Sequence, residues 1–233
     1  MLKPTNGAEL NYLHVLFEWS QIEDASSYQF QISHDPSFSM AGLLGSLHIE
    51  SLAYIWKDSN LTLSWNETYY WRVRPVYPNS EVGAWIDEFS FSTMSPITNP
   101  TITVHDGNFQ EGITLLGSLD GNFSAAFDIE GNEIWNTVDN SLILYNTNFM
   151  GELYGANYNS SLQHAYPAKE FNLDIDYLWE EPNDEFSHHD IVRLPDGNYM
   201  SIVETTRELP VPDSGPWYGQ CLSFAGPVVC NGG

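Results

Sequence analysis

One nine-residue pattern occurs twice in the sequence and indicates the fold of the second half. Phe127-Asp-Ile-Glu-Gly-Asn-Glu-Ile-Trp135 and Phe171-Asn-Leu-Asp-Ile-Asp-Tyr-Leu-Trp179 align without gaps at an offset of 44 residues. Each stretch runs from an aromatic residue through a polar turn to an aliphatic residue and Trp, which predicts a hairpin with its turn in the polar segment. A period of about 40–50 residues in a strand-rich chain is typical of a four-stranded propeller blade. Chance similarity between two amphipathic hairpins is the alternative explanation.

Counting repeats outward from these stretches sets an expectation for the second half of the chain. Residues 101–233 have room for about three blades of this length, whereas propellers close with about four to eight. A further hairpin is predicted at residues 190–203, with Asp196-Gly197 at its turn. We therefore expect an all-β partial propeller over 101–233. It is either the front of a longer propeller or a structure whose open sheet edges are covered by self-association or by another partner.

The first half has a different pattern, with apolar residues at every second position. Val15, Phe17 and Trp19 alternate with Leu16 and Glu18, and similar alternation recurs around residues 28–32, 69–74 and 89–91. This period predicts sheets with one buried face, hence a β-sandwich over residues 1–95. The turn-rich segment Thr93–Pro100, with two prolines, predicts the domain boundary.

Residues 3–93 resemble a fibronectin type III module. The resemblance is carried by a Trp on the second strand (FEWS), the following YQFQIS strand and the segment LSWNETYYWRVR, in which Leu63 precedes Tyr69 by the six residues of the family's tyrosine corner. It implies a sandwich fold and little about function, because such modules serve as spacers or as binding units for proteins and sugars.

The charge of the chain excludes several classes of partner. Seven Lys and Arg residues stand against 31 Asp and Glu, a formal net charge of −24. Residues 1–95 contain 11 acids and four bases, and residues 96–233 contain 20 acids and three bases. Nucleic acid and anionic lipid both require clustered cations, so neither is a predicted partner. No apolar stretch is long enough for a membrane-spanning helix.

Other features of the sequence favour an exported protein, extracellular or periplasmic, although no apolar signal segment follows Met1. Cys221 and Cys230 lie nine residues apart without metal-ligand spacing, which predicts a local disulfide and hence an oxidising compartment. Two free buried thiols are the alternative. The chain also carries four Asn-x-Ser/Thr glycosylation candidates, at Asn60, Asn66, Asn122 and Asn159.

The cluster Ser187-His188-His189-Asp190 is the strongest candidate for chemistry. Adjacent residues on a strand point to opposite faces, so at most one of His188 and His189 can face a central channel. The other interpretation is a hydrogen-bonded structural pair between blades. Arg193 lies four residues after His189 and therefore on the same strand face. It is either a hydrogen-bond donor to a bound anion or one half of a surface ion pair.

Here the chain resembles the arylsulfate sulfotransferase family, on His188-His189-Asp190-Ile191 followed by Asp196-Gly197-Asn198 and on the preceding FDIEGNEIW stretch. Members are exported propellers behind a small β-domain, and they move a sulfuryl group from an aryl sulfate to a phenol through a sulfohistidine. The resemblance implies that His188 and His189 correspond to a channel histidine that helps hold sulfuryl oxygens. Arg193 is a candidate substrate contact because of its position on the same strand face, not because it matches a residue of the family. The family's nucleophilic His and its sulfate-binding Arg have no match after residue 207, so the resemblance does not decide whether the chain is an enzyme.

Three functions remain open from the sequence. The first is a sulfotransferase-like exported protein, incomplete or inactive as this segment, with an aryl sulfate and a phenolic acceptor as substrates if active. The second is a non-catalytic surface or extracellular protein for binding or self-assembly. The third is a carbohydrate-active enzyme, and it depends only on the acidic loop around Glu180 and Glu181. No phosphate-binding loop or zinc-ligand spacing occurs in the sequence, so no cofactor or metal is predicted.

Overall fold

A computed structural model describes residues 2–56, 63–103, 107, 112–138, 141–148, 150–158, 166–183 and 187–203. Throughout these residues the chain forms β-strands joined by turns and no helix, which confirms the predicted all-β class. No segment of the described ranges is therefore a helix that could cross a lipid bilayer. In chain order the strands are β1 (Ala8–Leu10), β2 (Val15–Glu18), β3 (Ser27–Ser33), β4 (Leu43–Ile49), β5 (Ala53–Trp56), β6 (Thr68–Val76), β7 (Ile86–Thr93), β8 (Thr114–Ser118), β9 (Phe123–Phe127), β10 (Glu133–Asn136), β11 (Leu142–Thr147), β12 (Leu153–Asn157), β13 (Ala168–Phe171), β14 (Tyr177–Glu180), β15 (Ser187–Arg193) and β16 (Tyr199–Val203).

The chain divides into two compact units. The first comprises Met1–Leu144 and Phe171–Asp176, and the second comprises Tyr145–Glu170 and Tyr177–Gly233. The predicted boundary at Thr93–Pro100 lies within the first unit. There the backbone amides of Ile97 and Thr98 donate to the buried Glu133 carboxylate, at 3.0 and 2.8 Å, which connects this segment to β10.

Two sheets of the first unit share one apolar core. A five-stranded sheet has the order β1-β7-β6-β3-β4, with β1 parallel to β7 and the other pairs antiparallel, and β2 pairs with β5. The residues that the sequence placed on the inner faces, among them Phe17, Phe30 and Trp71, belong to a single cluster and are essentially inaccessible to solvent. The predicted alternation of buried and outward residues in β2, β3 and β6 is thus confirmed.

Tyr69 on β6 forms a corner with the loop that precedes it. Its hydroxyl accepts a hydrogen bond from the Ser64 amide at 2.7 Å, and Leu63 next to Ser64 is buried. The hydroxyl of Thr93 donates to the Ser64 carbonyl at 2.7 Å, so the loop is also held from β7. This contact lies where the spacing of Leu63 and Tyr69 predicted a tyrosine corner.

The remaining strands form three small sheets, with the orders β10-β9-β8, β11-β12-β13-β14 and β15-β16. None of these sheets is closed within the described residues. Both nine-residue stretches form hairpins as predicted, β9–β10 and β13–β14, and the turn at Asp196-Gly197 joins β15 to β16.

The two repeated hairpins use the same turn. The Asp128 amide donates to the Asn132 carbonyl at 3.0 Å, and the Asn172 amide donates to the Asp176 carbonyl at 3.2 Å. The first turn begins with an Asp and ends with an Asn, whereas the second begins with an Asn and ends with an Asp. In each turn the Asn side-chain amide donates to the Asp carboxylate, at 2.9 and 3.0 Å. The fourth turn residue has a positive φ in both cases, 80° at Gly131 and 66° at Ile175. The repetition in sequence therefore corresponds to a repetition of backbone geometry.

Candidate functional site

Strand β15 carries the residues that the sequence singled out. His188, His189 and Arg193 all lie within it, and Arg193 pairs with Tyr199 across the β15–β16 hairpin. The side chains of His188 and His189 lie outside the described residues, as do Cys221 and Cys230. The Arg193 side chain is described, and its surroundings define the candidate site.

Arg193 is held between two carboxylates. Its Nη1 lies 3.5 Å from Oε1 of Glu170 and 3.9 Å from Oε1 of Glu152. Glu170 is 2% exposed, whereas the Arg193 side chain is 44% exposed, so the buried charge is the carboxylate and the guanidinium covers it from the solvent side. Two anions around one cation leave a local charge of −1.

Each of these carboxylates also accepts a hydrogen bond from a tyrosine. The Tyr154 hydroxyl donates to Oε2 of Glu152 at 2.7 Å, and the Tyr199 hydroxyl donates to Oε2 of Glu170. Burial, and next the hydrogen bond to the carboxylate, raises the pKa of both phenols, that of Tyr199 to about 12. Both tyrosines are therefore neutral donors at physiological pH. We call Glu152, Tyr154, Glu170, Arg193 and Tyr199 the Arg193 cluster.

The β11–β12 turn positions Glu152. Asn148 accepts the Glu152 amide through its Oδ1 at 3.1 Å and donates its Nδ2 to the Glu152 carboxylate at 2.5 Å. The hydrogen bonds from Tyr154 and then from Asn148 hold the pKa of the Glu152 carboxyl below its ordinary value. Glu152 thus remains ionised, with its Oε2 already bound by two donors of its own unit.

A second ion pair lies on the β13–β14 hairpin in the same unit. Lys169 is 3% exposed and pairs with Glu180, and its Nζ lies 4.4 Å from the centroid of the Tyr177 ring. Trp179 of the same hairpin stacks on Tyr199, with ring centroids 3.9 Å apart, and so packs against the Arg193 cluster. Sequence reasoning missed Glu152, Glu170 and Lys169, because only the neighbouring strands show that they meet a charge.

The chemistry available to the cluster follows from this arrangement. Its carboxylates are bound by Arg193 and the two tyrosines, so the only cation of the cluster is already paired and is not left for an anionic ligand. Among the described residues, no set of three or more His, Cys, Asp or Glu side chains is placed to hold a metal ion.

Two of the four glycosylation candidates lie in the described residues. Asn66 is exposed, and its Oδ1 accepts the Ser95 hydroxyl at 2.6 Å. The other described candidate is the triplet Asn122–Ser124. The Oδ1 of Asn122 is buried without a hydrogen-bond partner among the described residues, and Ser124 is fully buried. Asn66 is therefore the more accessible of the two. Asn60 and Asn159 lie outside the described residues.

Comparison with known proteins adds no relative: neither a protein-family model nor a curated protein sequence matches this chain. The fold and the site define the class as an all-β protein of several small sheets, with a network of paired charges and tyrosines in its second unit.

Proposed function

We propose that this chain is an exported, non-catalytic binding protein. It is built on the pattern of an arylsulfate sulfotransferase, with a fibronectin type III-like module in front of propeller-type hairpins, and it associates through its open sheet edges. The observation that carries the proposal is the pairing of Arg193 with both Glu152 and Glu170.

That pairing opposes sulfuryl transfer. The transferred group needs donors and positive charge around its oxygens. At the Arg193 cluster an aryl sulfate meets a local charge of −1. An anion that drew Arg193 away would leave the buried Glu170 carboxylate with only its hydrogen bond from Tyr199. The net charge of −24 adds long-range repulsion, although salt screens this beyond roughly 8–10 Å.

The first unit supports the module assignment. The Tyr69 hydroxyl contact with Ser64, the strand order β7-β6-β3-β4 and the shared core of the two sheets are features of a fibronectin type III sandwich. Such a module presents surfaces for binding and has no requirement for a catalytic group.

Edge strands of the second unit support association with a second copy. Among the strands that the structure describes, β14 and β16 are the terminal strands of their sheets. Both carry exposed apolar residues, with Leu178 and Met200 each 59% exposed and Ile202 61% exposed. Unpaired edges with apolar side chains are sites where another strand adds.

Sulfuryl transfer is the second candidate function, favoured by the position of the His188-His189 pair on the same strand as Arg193. An imidazole would attack sulfur and the phenolate would leave. A second phenol would then take the sulfuryl group from the sulfohistidine and release its proton to solvent.

An activity assay separates the two functions. The protein is incubated with p-nitrophenyl sulfate and excess phenol, and nitrophenolate release is followed beside His188→Ala and His189→Ala. We expect no release above the rate of the two variants. Release by the unmodified chain that disappears in either variant would establish the transferase and refute the binding proposal.

The role of charge is tested by binding of p-nitrophenyl sulfate to two variants that lose the same single charge. Glu152→Gln brings the Arg193 cluster to neutrality, whereas Glu50→Gln removes an exposed carboxylate of the other unit. We expect tighter binding in Glu152→Gln alone. Equal effects of the two variants would mean that the cluster is not what excludes the anion.

Self-association is tested by sedimentation velocity at increasing protein concentration. A charge on an exposed edge strand blocks strand addition, so Leu178→Lys and Met200→Lys should sediment as monomers under conditions in which the unmodified chain does not. A chain that is monomeric at all concentrations contradicts this part of the proposal. Intact mass with and without reductant tests the Cys221–Cys230 disulfide expected of an exported chain.

A further inference from the structure

A cavity of about 440 Å³ opens in the first unit, and none of its lining residues has been discussed as part of a sulfotransferase site. Its walls come from the β1–β2 connection, the end of β5, the loop before β6, the segment after β7 and the β9–β10 hairpin, and every lining residue belongs to the first unit. The volume lies within the roughly 300–1,000 Å³ typical of small-ligand sites.

One wall of the cavity is a fixed aromatic surface. Trp65 is half-buried, and its Nε1 donates to the Glu133 carbonyl at 2.8 Å, which holds the plane of the indole. The neighbouring Ser64 is held from both sides by Tyr69 and Thr93. The aromatic wall is therefore formed before any ligand binds.

The acidic side chains of the lining already have internal partners. The Glu133 carboxylate accepts the amides of Ile97 and Thr98, the Thr98 hydroxyl and the Asn136 amide. The Asp128 carboxylate accepts the backbone amide and the Nδ2 of Asn132, at 2.8 and 2.9 Å. Both carboxylates thus have hydrogen-bond donors within the chain, and no Lys or Arg lines the cavity to receive an anion. The remaining titratable side chain of the lining is His14.

Neutral polar groups remain for a ligand. Asn99 and the hydroxyl of Ser64 line the cavity, are exposed, and make no hydrogen bond to other described residues. A side-chain amide offers two donors and an acceptor oxygen, and a hydroxyl offers one donor and two lone pairs. These groups match a ligand that is rich in hydroxyls and carries no charge.

We propose that this cavity is a binding site for a neutral saccharide, with the indole of Trp65 under a sugar ring and with Asn99 and Ser64 bonded to its hydroxyls. The C–H face of a pyranose is weakly positive and packs on the negative face of an aromatic ring. Sugar hydroxyls both donate and accept, as the amide of Asn99 does. The site goes beyond the proposed function and belongs to the other unit, so the two can fail separately.

The experiment is a glycan array carrying neutral, sialylated and sulfated oligosaccharides, followed by a tryptophan-fluorescence titration with the best ligand. We expect binding to neutral glycans. Asn99→Ala should weaken the affinity about 3- to 10-fold, the effect of one net hydrogen bond. Trp65→Phe keeps an aromatic ring with less surface, so it should also weaken binding while the chain stays folded.

A matched control uses Gln21→Ala, which removes an exposed amide of the same unit outside the cavity. Its affinity should equal that of the unmodified chain. The proposal is overturned if no neutral glycan binds, if only anionic glycans bind, or if Asn99→Ala and Trp65→Phe both bind as tightly as the control.

Discussion

The aromatic core of the first unit and the Arg193 cluster of the second unit, whose innermost group is the buried Glu170, are held together by different forces. In the core, Phe17 lies 4.8 Å from Phe30, 5.3 Å from Trp71 and 5.9 Å from Phe91 between ring centroids, in edge-on arrangements. In the cluster, Glu170 is buried only because Arg193 and Tyr199 satisfy it.

The two regions should therefore respond differently to substitution and to pH. Apolar contacts are non-directional and roughly proportional to the area that they bury, so the core should depend on volume and be insensitive to pH. A buried charge costs several kcal/mol when its partner is lost, so the cluster and the nearby Lys169–Glu180 pair should depend on single polar atoms and on pH.

The largest effect is expected for Trp71→Ala in the aromatic core. Trp71 is fully buried, and removing a buried Trp typically costs about 3–5 kcal/mol because a cavity remains. Urea denaturation followed by near-UV circular dichroism measures the loss. Trp71→Phe should cost clearly less, because the ring is kept and the Trp71 Nε1 has no hydrogen-bond partner among the described residues. Equal costs for Ala and Phe would contradict a core held by aromatic volume.

A smaller effect that depends on charge is expected for the Lys169–Glu180 pair. Glu180→Gln leaves the buried ammonium of Lys169 without its anion, which we expect to cost about 1–3 kcal/mol, less than a fully buried pair because Glu180 is half exposed. Lys169→Met removes the buried charge itself and should be nearly neutral. The free energies of unfolding of the two variants are compared under one condition. The reverse order would mean that Lys169 contributes through its contacts and not through its charge.

Tyr199→Phe should destabilise the Arg193 cluster by about 1–2 kcal/mol, through loss of the hydrogen bond to the Glu170 carboxylate. The effect depends on pH. The pKa of Tyr199 is raised from 10.0 to about 12, so the folded protein holds this proton more tightly than the unfolded chain does. The associated stability is complete below about pH 10 and is lost as the pH rises towards about 12.

The measurement is the free energy of unfolding of both chains across that interval. The unmodified chain should lose more stability than Tyr199→Phe between about pH 9 and about pH 12, so the difference between the two should shrink. A constant difference across the interval would show that folding does not raise the pKa of the Tyr199 phenol.

The aromatic core could be predicted from the sequence to a greater extent than the Arg193 cluster. A period of two is local, so burial of Phe30 and Trp71 could be predicted from their neighbours alone. The turns at Asp128–Asn132 and Asn172–Asp176 were also predictable, because short polar side chains bond their own turn.

The Arg193 cluster could not be predicted in this way. Arg193 meets Glu170 of β13 and Glu152, the residue before β12, because these segments lie beside β15. The two partners precede Arg193 by 23 and 41 residues, so their contact leaves no local pattern in the sequence. The same applies to Glu133, which bonds residues 97 and 98 at the predicted boundary. Buried charges are thus the part of the site that periodicity does not reveal.

The smallest effect is expected for a charge in the first unit. Lys3 and Glu18 form an ion pair at 3.8 Å, with side chains 49% and 41% exposed, so solvent and salt screen their attraction. The two residues are also joined by two backbone hydrogen bonds, at 2.9 and 3.0 Å, which a side-chain substitution leaves in place. Lys3→Gln should therefore change the free energy of unfolding by less than about 0.5 kcal/mol at any salt concentration. A loss as large as that of Glu180→Gln would break the contrast, because charge would then matter equally in a region held by aromatic packing.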